Sequence, residues 1–152
     1  MSLTGRLYKI SEQELQDVIK KKKDNFDHLS DSIDLSYFAL DYLEIINSYS
    51  GFDKKNVRQI LEGLHSIDVD EGYLGYSKAR EVSEIKSNTV DKLNENIFVA
   101  YLDRAEQENH LLGKYYSSQA ENRESLVRYF SNIKRIYEEA TSERKCLLYR
   151  IG

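Results

Sequence analysis

Residues 122–151 read NRESLVRYFSNIKRIYEEATSERKCLLYRI, and the way this stretch divides decides the fold. Leu126, Phe130, Ile133, Tyr137 and Ala140 follow one another at steps of four, three, four and three. That spacing sets them on one face of a helix, with Arg123, Glu124, Arg128, Asn132, Arg135 and Glu139 around the remainder, Arg123 expected to be solvated. Cys146 to Ile151 then form an apolar run too short for a helix and suited to a half-buried strand. A helix that ends in a strand needs a surface to lie on and a strand to pair with. The pattern therefore speaks for a mixed architecture and is silent on chemistry.

Working outward, Leu3 to Ile10 reads as the strand at the other end, with Leu7, Tyr8 and Ile10 packing and Gly5 at a bulge or close approach. Ser11 and Glu14 stand as a capping box for a helix that buries Leu15, Val18 and Ile19 and ends near Asn25. Residues 27–34 are polar and read as a loop. A second helix is expected from Leu35 to Tyr49, capped by Asp34 or Ser36, with Tyr37, Phe38, Tyr42, Ile45, Ile46 and Tyr49 inward and Gly51 as its stop. Asp53 caps a third helix carrying Val57, Ile60, Leu61 and Leu64. Residues 67–83 read as a mobile connection, with a short strand over Lys78 to Val82 and a helix cap at Ser83. Ile85, Val90 and Leu93 mark a fourth helix and Phe98, Tyr101, Leu102 and Ala105 a fifth, while 111–118 reads as irregular.

The expected class is α+β, a single compact domain in which a small sheet holds the N- and C-terminal strands under about five helices. At 152 residues, 40% hydrophobic and 32% charged, the chain has material for one core. The formal net charge of −4 argues against nucleic acid as a partner. Lys20 to Lys23 reads as a solvated helix end. A lone cysteine rules out an internal disulfide and fits a reducing compartment. No apolar run reaches the roughly eighteen residues of a bilayer span. A cytoplasmic setting with no membrane partner is the expectation.

Four segments together resemble the YfbM-like family of uncharacterised bacterial proteins. They are Gly5 to Ser11; the aromatic stretch Tyr37 to Leu43; Gly75-Tyr76-Ser77-Lys78-Ala79-Arg80-Glu81-Val82-Ser83; and Tyr129-Phe130 through Tyr137 to Leu148-Tyr149. The chain departs from the family pattern at Tyr37, where tryptophan is usual, at Asp41 in place of a histidine, and at Lys78 in place of a loop proline. The resemblance implies a compact α+β fold and a bacterial cytoplasmic setting, and no established activity.

Chemistry is sparse. His28, His65 and His110 lack metal-ligand spacing, Cys146 reads as a buried apolar thiol, and Asp68, Asp70 and Glu71 lack the ligand order of a calcium loop. No catalytic residue, metal ligand or cofactor is assigned. The best binding candidates are Tyr73, Tyr76 and Arg80 around a glycine-hinged loop at 72–76, with Tyr37 and Asp41, the latter a candidate partner for Arg80. The alternative is that both tyrosines fold onto the core and Arg80 pairs with a local acid.

Three functions follow in order. The first is a non-catalytic protein-interaction module of accessory or immunity type, binding another protein. The second is a small-molecule domain with a pocket near Gly72–Tyr76. The third is an enzyme using carboxylates such as Asp41 with Glu44 or Glu71. A terminal edge strand could also pair with a second copy to give a homodimer.

Overall fold

The run Cys146 to Ile151 forms the strand expected of it, but it is buried on both sides rather than one. In the computed structural model, which describes residues 5–21, 26, 29, 31–36, 39–108 and 119–152, this strand is the middle of a five-stranded antiparallel sheet. In chain order the strands are β1 (Gly5–Ile10), β2 (Ser32–Ser36), β3 (His65–Ile67), β4 (Tyr73–Ser77) and β5 (Cys146–Ile151). Their spatial order is β2-β1-β5-β4-β3. The two ends of the chain therefore meet, Leu7 opposite Tyr149 and Ile10 opposite Cys146. Successive side chains of a strand leave opposite faces of the sheet. Cys146 and Leu148 enter one core and Leu147 and Tyr149 the other, so the middle strand needs an unbroken apolar run.

Six α-helices are described: α1 (Glu12–Lys21), α2 (Ala39–Tyr49), α3 (Lys54–Glu62), α4 (Ala79–Asn88), α5 (Glu95–Gln107) and α6 (Gln119–Glu143), with a 3₁₀ turn at Val90–Lys92. One face of the sheet packs on α2 to α6. Leu126, Phe130, Ile133, Tyr137 and Ala140, the whole stripe of α6, are buried there with Leu7, Ile33 and Leu35. The other face meets α1 through Leu15 and Val18, together with Phe26 and Leu29. Ser11 and Glu14 form the capping box: Glu14 N–H donates to Ser11 Oγ at 3.1 Å and Ser11 N–H to Glu14 Oε1 at 2.9 Å. Asp53 caps α3 through Lys55 N–H at 2.8 Å.

Several expectations are corrected. Residues 32–36 are a strand, not a loop leading into a helix, and Asp34 and Ser36 belong to it rather than capping α2. Ile33 and Leu35, two apart, both enter the larger core, which extended backbone achieves and a loop does not. The stretch 65–77 is a hairpin: His65 pairs with Tyr76 and Ile67 with Leu74. The strand expected over Lys78 to Val82 lies earlier, at Tyr73–Ser77, and α4 already runs through Ser83. Leu64 falls past the end of α3 and is 40% exposed. Neither terminal strand is an edge; among the described residues the edges are β2 and β3. Arg123 is not solvated alone, because its guanidinium pairs with Asp103 and, at 3.2 Å, with Glu106, tying α6 to α5. Tyr37, Phe38, His28, His110, Lys22 and Lys23 and the stretch 111–118 lie outside the described residues.

Candidate functional site

The hairpin and the start of α4 hold three of the candidate residues, and strand alternation separates them. Tyr73 and Gly75 point to the larger core, Leu74 and Tyr76 to the smaller. Tyr73 folds back, its hydroxyl donating to the Glu62 carbonyl at 3.2 Å and its ring 6.2 Å from that of Tyr149. Burial pushes its phenol above the ordinary range. Tyr76 lies on the opposite face, stacked on His65 with ring centroids 4.9 Å apart. The two tyrosines do not share a platform. Gly75 is no hinge either: a Cβ there would collide with the Glu62 carbonyl and the Tyr73 ring, so glycine is what lets the end of α3 reach β4.

The arrangement that forms instead uses His65 and Glu81, which belong to no local motif. His65 Nε2 lies 2.8 and 3.0 Å from the two oxygens of Glu81. A carboxylate there requires that nitrogen to carry the proton and donate it. Glu81 is itself held by Lys78 N–H at 2.8 Å, the reach-back expected of an acid in the first turn of a helix. Imidazole, carboxylate and tyrosine ring thus form one fixed patch at the outer edge of the sheet. Exposed Leu64 immediately precedes it, and Arg80 stands beside it on α4 with its side chain 91% exposed. Arg80 pairs with Glu84 at 3.4 Å, a local acid, rather than with Asp41. Asp41 is buried in the first turn of α2. Glu81 follows His65 by sixteen positions, and the two meet because the hairpin sets His65 opposite Tyr76, next to the turn from β4 into α4.

Other chemistry is limited. Burial raises the Cys146 thiol above its ordinary range, against an opposing hydrogen bond from Ala79 N–H. Asp68, Asp70 and Glu71 sit exposed in the turn before β4, and no group of three potential metal ligands gathers among the described residues. A cavity of about 80 Å³ opens beside the hairpin, lined by Glu71, Tyr73, Leu74, Arg150 and Ile151. That is room for two or three waters, well below the roughly 300–1,000 Å³ of small-molecule pockets.

No helix among the described residues is long and apolar enough to cross a membrane. A comparison with curated proteins finds no match. Among solved structures, YfbM from Escherichia coli, a protein of unknown function, shares the fold: TM-score 0.66, 16% identity, over 98% of this chain and 99% of that one. At that identity the likeness concerns architecture alone. A family model described as a domain of unknown function, DUF1877, matches residues 1–149, and the chain belongs to that family.

Proposed function

We propose that the domain is a non-catalytic protein-interaction module of accessory or immunity type, acting in the bacterial cytoplasm, with β3 as its contact edge. The observation that carries this is the composition of that edge. Among the described residues this three-residue strand has one side unpaired, and it is flanked by an exposed leucine, a stacked His65–Tyr76 pair locked by Glu81, and an extended arginine. Unpaired strand edges accept a further strand, and rigid aromatic and arginine side chains carry most binding energy at interfaces. Because Glu81 already fixes the imidazole, little side-chain freedom remains to be lost on binding. The cytoplasmic setting is supported by Cys146, a buried free thiol.

Capture of host proteins on the immobilised chain, with Leu64→Asp alongside, tests the reading. A partner held by the wild type and released by Leu64→Asp, at unchanged melting temperature, is expected. Identical captures would contradict it. A second reading, a small-molecule domain, is favoured by the cavity beside Tyr73 and Arg150. Stabilisation by a metabolite in a thermal-shift screen, approaching the roughly 2.7 kcal/mol expected at a hundredfold excess over Kd, would establish it.

A further inference from the structure

The two ring nitrogens of His65 have different surroundings. Nε2 lies 2.8 and 3.0 Å from the oxygens of Glu81, so in the neutral ring it carries the proton. Nδ1 then holds an in-plane lone pair, and it has no hydrogen-bond partner among the described residues. Three contacts fix the ring. Tyr76 stacks on it with the planes 26° apart, Glu81 sets its rotation, and Lys78 N–H holds Glu81 at 2.8 Å. With 39% of the His65 side chain exposed, solutes reach it from solvent. A nucleophilic nitrogen on a ring that a carboxylate orients from the other side is an arrangement suited to covalent chemistry. The contact role proposed for this edge needs the ring to be rigid and makes no use of the lone pair.

We propose that His65 is a phosphorylation site that takes a phosphoryl group on Nδ1. The Nδ1 lone pair forms a bond to phosphorus while the bond from phosphorus to the donor's leaving group breaks, its electron pair departing with that group. No proton has to leave the ring, because Nδ1 carries none. The ring acquires positive charge in this step, and the Glu81 carboxylate already faces it through Nε2–H, a counter-charge in place before reaction begins. Exposure selects the class of electrophile. On an open ring the product has to persist in water, which an N-phosphoryl imidazole does and an N-acyl imidazole does not. A donor of the N-phosphoryl class, a phosphoramidate, suits the step, since the P–N bond broken is of the same kind as the bond made. The adduct brings negative charge to β3, the change through which phosphorylation makes or breaks a contact. The assignment stands apart from the interaction reading above, because it needs no partner bound.

Incubation of the full chain with potassium phosphoramidate at neutral pH tests this; ammonia leaves as phosphorus passes to the ring. Intact-mass spectrometry follows the adduct, and ³¹P and ¹⁵N NMR place it on one nitrogen or the other. His65 should be modified faster than the other two histidines, His28 and His110, and on Nδ1. His65→Gln should lose the fast adduct. Glu81→Gln keeps an acceptor for Lys78 N–H and removes the carboxylate. It should slow modification of His65 roughly tenfold and let the group appear on Nε2, a change of position that loosening of the fold alone does not produce. If Glu81→Gln folds poorly, the nitrogen modified in the wild type decides by itself. An adduct on Nε2 in the wild type, modification of His65 no faster than that of His28 and His110, or a folded Glu81→Gln variant with unchanged rate and position would overturn the assignment.

Discussion

The two faces of the sheet are built for different ends. The face under α2 to α6 is filled by large side chains, with Phe98 and Phe130 stacked 4.7 Å apart and Tyr42 against both. There the buried Tyr137 hydroxyl donates to the Ile60 carbonyl at 2.5 Å. The opposite face carries a smaller core from α1, Phe26 and Leu29, and leaves the row Asp34, Arg6, Arg150 beside open cavities. Such a division teaches where to look: stability resides on the filled face, and charged side chains gather where cover is thin.

Substitution on each face should break or confirm the contrast. Phe130→Ala, on the filled side, is expected to cost about 3–5 kcal/mol in denaturant unfolding, much of the roughly 5–15 kcal/mol such a domain holds. Leu15→Ala on the other side should cost about 2–3 kcal/mol, because a thinner layer collapses more readily into the gap. Equal losses would erase the distinction.

Alkali should act through the filled face. Burial raises the phenols of Tyr42, Tyr137 and Tyr149 above the ordinary value of 10.0, and Tyr49 at its margin is pushed up to about 12. A raised folded-state value means the unfolded chain releases its protons first, so stability is whole below pH 10 and declines as pH rises beyond it, by about 1.4 kcal/mol per unit for each such group. Tyr42→Phe should flatten that decline; an unchanged slope would show that Tyr42 is not buried. Lys9, raised first by its bond to Glu143 and then by Glu139, adds loss in the same direction at still higher pH. The smallest effect belongs to Arg123→Ala, about 1 kcal/mol, since its pairs with Asp103 and Glu106 are partly solvated.

The sequence displayed the filled face well. A 25-residue helix repeats its spacing often enough to be read. The edges were harder. β2 offers only Ile33 and Leu35 among polar neighbours, too little alternation to tell from a loop. In β4, Gly75 looks like flexibility, whereas it is an empty space filled by Glu62 from another element. The candidate site was least legible. His65 meets Tyr76 by register across the sheet, and meets Glu81 only because β4 turns into α4 beside it; register is a tertiary property without a local signature.

The claim that β5 is the middle strand, buried on both faces with the edges at β2 and β3, is tested most directly by native-state hydrogen exchange. Amides of Leu147, Leu148 and Tyr149 should exchange only through global unfolding, while those of Ile33 to Leu35 and of Ser66 open locally at lower free energy. Exchange of the β5 amides as fast as that of Ser66 would contradict it.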